Sequence, residues 1–298
     1  MALHNFWQVQ GAIAPAGPSR WSDPGTRAGP SAALLTLPPA GYTRWSFKRA
    51  GGARHGVPRF GQRKRWSCMS DALSEANFQA ALDRQGIELP AEQVARLVGY
   101  VRLLWSWNER LNLTRHLDVE TFVARDLVDS WQLAQHLASD ERVLDLGTGG
   151  GVPGVVVALL RPDLQMSLCD SVQKKAAAVS AIVDELQLPV AVHAEPVQSV
   201  LASGHSFDTL VARAVGPMWK VLKWLKPHWG SFGRLLLIKG PKWAEERGQA
   251  RHLGYLASLN LRRVATYATA GHDGENVVLS ITPADDQGKA ARRSQRKP

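Results

Sequence analysis

The chain has only two cysteines, Cys68 and Cys169, in 298 residues. Two cysteines cannot build a disulfide framework or a cysteine-rich zinc site, so no metal ligand set is expected and a reducing, cytoplasmic compartment is the default. No uncharged apolar run approaches the ~20 residues that a membrane-spanning helix needs, so no membrane span is expected. Acidic residues are nearly missing from the first 68 positions, which hold ten Lys/Arg and one Asp, a balance of +9 out of +10 for the whole chain. From residue 69 onward, 26 Lys/Arg face 25 acids. The apolar share, 45%, is ordinary for a globular protein and excludes wholesale disorder. The length suits one large domain or two small ones.

Residues 1–68 also hold nine Gly and seven Pro and show no sustained period of 2 or 3.6. Short apolar stretches such as Ala33–Leu37 stop at Pro38-Pro39. The segment lacks the early charge and long apolar region of a secretory signal, and it cannot bury enough surface to offset its ordering entropy. It is expected to be disordered, or to be an extension upstream of a natural start at Met69. Trp7, Trp21, Trp45 and Trp66 supply the alternative, a basic aromatic arm that grips RNA. Residues 285–298, with Lys289, Arg292, Arg293, Arg296 and Lys297, read as a solvated basic tail. Between these ends, residues 69–139 read as a helical cap and residues 140–284 as an α/β domain.

The cap is predicted from three helical patterns. Ser74 can cap a helix over 74–85 that Gly86 ends. After Pro90, Val94, Leu97, Val98, Val101, Leu104 and Trp105 recur at three and four, lining one face. A third helix is predicted from Glu120 to Leu137. At Arg142 the period changes. Strands are predicted at Arg142–Leu146, Met166–Cys169, Val190–His193, Phe207–Ala212 and Arg234–Ile238, with helical runs near 153–160 and 172–187. That alternation implies a doubly wound, mostly parallel sheet covered on both faces. The last two strands, Leu261–Thr266 and Val277–Ile281, lie too close for a helical crossover and are predicted to pair antiparallel at one edge.

The segment from Val143 to Gly154 (VLDLGTGGGVPG) leaves a strand, turns through glycines and enters a helix. Glycine lets the backbone turn sharply and approach a ligand. In a doubly wound sheet, the crevice at the carboxyl ends of the strands is where ligands sit. Two frames compete. Gly149-x-Gly151-x-x-Gly154 fits the dinucleotide fingerprint and an NAD(P)-binding oxidoreductase. Asp145-x-Gly147-x-Gly149-x-Gly151 fits the acidic glycine loop of S-adenosylmethionine-dependent methyltransferases. A carboxylate beside the loop repels a pyrophosphate and suits a cationic sulfonium amino acid, which favours the second frame. Asp170, after the second strand, suits ribose hydroxyls in either frame.

With these pieces in order the chain resembles the small-subunit rRNA guanine-N7 methyltransferase G family, also called glucose-inhibited division protein B, from about Ser70 to Pro283. The resemblance is carried by Trp107-Asn108, Leu111–Thr114, Arg125-x-x-x-Asp129-Ser130, the loop Asp145–Gly154, Asp170-Ser171, Ala194-Glu195, Ala212–Ala214 and Lys239-Gly240. It implies a seven-stranded, Rossmann-like class I methyltransferase fold behind a small helical cap. It implies S-adenosylmethionine as donor and the 16S rRNA of the small ribosomal subunit as partner, with methyl transfer to a guanine N7 by a cytoplasmic, monomeric enzyme. By the same resemblance Gly147, Val152, Ala194, Glu195 and Arg213 line the donor site, with Asp145 and Gly149 in the loop and Asp170 at the ribose. Asn112, Arg125, Lys239 and Arg213 are the candidate catalytic residues around the cleft. Three positions depart from the family pattern. Asp126 stands where a histidine is usual, His193 where a basic residue is common, and Gly150 where proline is frequent.

Each position also has a plainer reading. Arg125 and Asp129, four apart on a helix, can form a surface ion pair. Arg213 can be a buried partner for an acid, Asp145 can cap loop amides, Asn112 can cap a turn, and His193 and Cys169 can be packed strand residues. Residues 219–251 carry eight basic side chains against Glu245 and Glu246, with Trp219, Trp224, Trp229 and Trp243 among them. This is the best RNA-contact candidate inside the fold, through phosphate neutralisation and stacking on an exposed ring. The chain has no Pro-Cys nucleophile and no Asp/Asn-Pro-Pro-aromatic motif, which agrees with a ring-nitrogen target. A non-catalytic RNA-binding module is a further alternative.

Overall fold

The structure, a computed structural model, describes residues 73–269 and 274–284. The expectations for residues 1–68, for a start at Met69 and for the tail 285–298 lie outside the described residues.

Helix α1 (Glu75–Arg84) begins where Ser74 Oγ accepts from the Asn77 amide at 3.1 Å, giving one otherwise orphaned N–H a partner. Helix α2 (Ala91–Asn108) starts after Pro90 and buries the face predicted from its spacing, with Tyr100 added. The third helical run is not uniform. It passes from α3 (Val119–Thr121) through a π-helical stretch, Phe122–Leu127, into α4 (Val128–Ala134). It ends three residues short of the predicted Leu137, and the wide turn carries Asp126 in its buried wall. Such stretches are rare and occur mostly as single turns, often at functional sites.

Seven strands follow: β1 (Arg142–Leu146), β2 (Gln165–Cys169), β3 (Ala191–His193), β4 (Phe207–Arg213), β5 (Phe232–Lys239), β6 (Leu259–Ala268) and β7 (Glu275–Pro283). Their order in the sheet is β3-β2-β1-β4-β5-β7-β6. The first five are parallel, and β7 runs antiparallel between β5 and β6. The last two strands therefore do pair antiparallel at the edge, with β7 on the inside. Between the strands lie α5 (Gly154–Leu160), α6 (Gln173–Glu185), α7 (Val197–Ala202), α8 (Met218–Leu225) and α9 (Trp243–His252).

Alternate side chains along each strand face opposite ways, so two apolar cores form. Val143, Leu236, Ile238 and Val278 join one core with α1–α6. Leu144, Leu146, Leu235, Leu237 and Leu279 join the other with α7–α9. The N-terminal helices thus share a core with the sheet face they cover. Among the described residues no helix is long and apolar enough to cross a membrane.

Candidate functional site: the crevice at the carboxyl ends of the strands

The chain leaves β1 through Gly147 and Gly149, both with φ near +60° (+62° and +60°), a conformation that side chains resist. The turn is fastened to β2. Thr148 N–H donates to Cys169 O at 3.0 Å, and Gly149 N–H donates to Asp170 Oδ2 at 2.9 Å. The other oxygen of Asp170 accepts from Val172 N–H at 2.8 Å. Beside this turn is a cleft with a cavity of about 210 Å³, lined among others by Gly147, Cys169, Asp170, Val215 and Trp224. Burial pushes the Cys169 thiol up to about 12, so it is a neutral apolar wall. Ala194 is exposed and Glu195 half-buried in the turn between β3 and α7, whose Pro196, Val197 and Gln198 line the same cleft. Val152 is half-buried and packs on the first core.

The second half of the loop is covered by the helical cap. Tyr100 Oη donates to Gly150 O at 2.9 Å. A Cβ on Gly150 would lie 2.8 Å from Leu104 Cδ1 and 3.1 Å from Leu113 O. The room that a proline ring would need at this position is filled by α2 and the turn after it. Gly150→Ala is expected to destabilise the fold by about 1–3 kcal/mol through overpacking, read as a lowered urea midpoint with an unchanged slope; an unaltered midpoint would mean the cap can retreat at no cost. Gly151 is likewise enclosed, by Val155 and Tyr100, and Gly154 by Leu168 and Asp145. A pyrophosphate has no approach at Gly151, the step at which the dinucleotide frame needs one.

Asp145 is wholly buried under the loop. Its Oδ2 accepts from Gly154 N–H at 3.0 Å, so it caps the entrance to α5. Burial lifts its carboxyl to about 7, although Thr148, the Gly154 amide and Arg213 pull the other way. Its side chain is also hydrogen-bonded by the neighbouring Thr148 hydroxyl, and both groups are buried. A carboxylate under the glycine turn makes the neighbourhood of the loop unfavourable for an anion.

On the other flank of β1, Arg213 at the end of β4 is held by two carboxylates. Its Nη2 is 2.6 Å from Asp126 Oδ1 and its Nη1 is 3.0 Å from Asp129 Oδ2. Those charges keep its guanidinium protonated against the effect of burial. Asp129 does not lie at the surface, as a surface pair with Arg125 would require. It is buried, and it also accepts from Tyr267 Oη at 2.7 Å and Asn276 Nδ2 at 3.0 Å. Arg125 is half-buried in that stretch. Asp126 Oδ2 is 2.8 Å from His116 Nδ1, so an imidazole reaches the cluster from another position than the usual histidine. Burial would raise the Asp126 carboxyl, but the His116 hydrogen bond and the Arg213 charge outweigh it and hold it low. Sequence reading missed His116, Tyr267 and Asn276 as members of this cluster.

Of two other candidates, Lys239 takes a structural duty and Asn112 lies at the surface. Lys239 Nζ donates to Gly216 O at 2.6 Å and pairs with Glu246 at 2.8 Å, pinning the segment after β4 and leaving little of its charge for a ligand. Asn112 is exposed, and the amides of Leu113 and Thr114 are capped by Asn108 Oδ1 instead, at 2.7 and 2.9 Å. His193 is half-buried against His205, ring centroids 5.3 Å apart, and burial lowers its basicity. The four tryptophans of 219–251 are all half-buried against the second core. Lys220 sits over Trp224, and Arg247 and Arg263 both sit over Trp243. Arg234 pairs with Glu141, so the basic patch is smaller than its composition.

The strand order with its reversed seventh strand, and the glycine turn after β1 backed by acids at β1 and β2, define a class I S-adenosylmethionine-dependent methyltransferase fold. A model of the GidB family, described as rRNA small subunit methyltransferase G, matches residues 93–271, and the chain belongs to that family. It is 49% identical over 195 residues to the ribosomal RNA small subunit methyltransferase G of Rhodopirellula baltica, covering 65% of this chain and 84% of the relative. It is 36% identical over 169 residues to that of Chromobacterium violaceum, covering 56% and 80%. Among solved structures, the mitomycin 7-O-methyltransferase MmcR is similar with a TM-score of 0.43 at 16% identity, covering 72% of this chain and 75% of that one.

Proposed function

We propose that the protein transfers a methyl group from S-adenosylmethionine to N7 of a guanine in the 16S rRNA of the small ribosomal subunit, acting as a cytoplasmic monomer. The observation that carries the donor assignment is the Gly147–Gly149 turn at positive φ, fastened to Asp170 and opening on the cleft that both Gly147 and Asp170 line. Family membership carries the RNA.

The bound donor supplies an electrophilic methyl on a sulfonium; the N7 lone pair takes the carbon, the carbon–sulfur pair stays on sulfur, and the positive charge passes to the purine. No proton leaves N7, so no general base is needed, and the protein's work is alignment and electrostatics. Asp145 and Thr148 receive the amino-acid end. Gly147 and Gly149 let the backbone approach, and Asp170, already fixed by two amides, presents its remaining lone pairs to the ribose. Ala194 and Glu195 flank the adenine end, and Val152 packs the loop from behind. Arg213 marks the acceptor side of the crevice, with Arg125 and Asn112 on the cap beside it. Lys239 holds the segment after β4 in place.

Isothermal titration should show binding of S-adenosylhomocysteine and none of NAD(P)H. Mapping of N7-methylguanosine in 16S rRNA from cells with and without the gene should show one site lost with the gene. Unchanged rRNA modification, or preference for a nicotinamide dinucleotide, would sink this reading.

A further inference from the structure

One wall of the cleft is held in place by side chains that do not line it. Between β4 and α8 the chain turns through Ala214 at φ +56° and Gly216 at φ +143°. Glycine adopts positive φ freely. An alanine does so at a cost and stays there only where its surroundings hold it. Val215, between the two, lines the cleft, and a Cβ on Gly147 would be 3.3 Å from both of its Cγ atoms. The spacing between Val215 and the Gly147 turn is therefore a dimension of the cleft itself.

A carboxylate on α9 holds that turn. Lys239 Nζ, at the end of β5, donates to Gly216 O at 2.6 Å, and Glu246 Oε2 lies 2.8 Å from the same Nζ. That oxygen also accepts from Met218 N–H at 2.7 Å. Helix α8 starts after Pro217 with no side-chain cap of its own. Glu246 thus supplies, from another element, the acceptor that the first amide of α8 needs, and it sets negative charge at the positive end of that helix. Val221, Trp224 and Leu225 of α8 line the cleft. One carboxylate oxygen ties both the Val215 turn and the lining helix to α9, yet neither Glu246 nor Lys239 is among the lining residues. Only 9% of the Lys239 side chain and 27% of Glu246 meet solvent, so water competes little for the tie.

We propose, on the donor reading above, that Glu246 is a positioning residue for donor binding. It fixes Gly216 O through Lys239 and Met218 N–H directly, and so sets the spacing across which the donor is held. A wall fixed before the ligand arrives spares binding the cost of ordering it.

The test is titration of the full chain with S-adenosylhomocysteine, with urea unfolding of the same samples. Glu246→Leu removes both ties and is expected to weaken binding about tenfold. It also strands the Lys239 charge, so this variant loses stability as well. Adding Lys239→Met removes the stranded charge; stability should return toward wild type while binding stays about tenfold weaker. Glu246→Gln keeps an oxygen for both donors and should bind within about threefold of wild type. On 16S rRNA the double variant should show a raised KM for the donor with kcat within about twofold of wild type, whereas a loss of folded enzyme alone would lower kcat and leave KM unmoved. Three results overturn the proposal: a double variant that binds as tightly as wild type, affinity that returns together with stability, or a glutamine variant as weak as the leucine one. Folded wild-type protein that does not bind S-adenosylhomocysteine would instead overturn the donor reading on which it rests.

Discussion

Asp145→Asn is expected to give a protein that is more stable than wild type above pH 7 and much poorer at holding the donor. The two effects have one cause. Burial raises the Asp145 carboxyl to about 7 in the donor-free fold, whereas an unfolded chain releases that proton near pH ~3.9. Between these values the folded state binds a proton that the unfolded state has lost, so stability falls as pH rises and the loss is complete above the folded value. The lost stability is on the order of 4 kcal/mol. Asparagine cannot ionise and still offers an oxygen to Gly154 N–H, so the decline should vanish. Melting temperatures at pH 5 and pH 8 check this: wild type should drop and the variant should not. The donor loses its charged partner, worth about 1.5–3 kcal/mol for a hydrogen bond to a charged group, so titration should show affinity weakened about ten- to a hundredfold. Wild-type affinity should itself rise with pH toward 7 as the carboxyl ionises. Parallel pH slopes in the two proteins would mean the carboxyl is not held neutral, and equal affinities would mean its charge plays no part in binding.

Arg213→Met is expected to produce the largest loss of stability of any crevice substitution. Methionine approximates the arginine stem and leaves Asp126 and Asp129 facing each other without a counter-charge. Breaking a buried pair by removing one partner is destabilising by about 3–5 kcal/mol. For a chain of this size that corresponds to a fall in melting temperature of roughly 10 °C. Adding Asp126→Asn and Asp129→Asn to the methionine variant should restore much of the stability, because the uncompensated charges are gone. It should not restore methyl transfer. Denaturant unfolding of the single and combined variants separates these outcomes. A loss under about 1 kcal/mol in the single variant would mean the guanidinium is not the partner of those acids.

Local pattern was enough for much of this molecule. The change of period at Arg142, the β-branched and leucine-rich strands and the glycine turn are all local signals, and each landed within a few residues of its element. The place of β7 between β5 and β6 was not legible, because it depends on pairing across the whole sheet. Nor was the π-helical stretch, since Phe122–Leu127 reads as an ordinary helix. The Arg213 cluster draws on positions 116, 126, 129, 213, 267 and 276, which no spacing rule connects. One signal was available. Asp126 falls four after Phe122 and three after Val123, on the apolar face of its helix, and a carboxylate there needs a buried partner. For Asp145, the presence of the charge was legible and its complete burial was not, because burial comes from the loop folding back over it to enter α5 at Gly154.

Tyr100, Leu104 and Leu113 form a ceiling over Gly150, so the first helices are tied to the ligand turn and do not hang beside it as an appendage. Whatever steadies that turn from below also steadies the outer surface above it. A small molecule seated beside that turn therefore meets a wall whose outer half the helical cap holds in place.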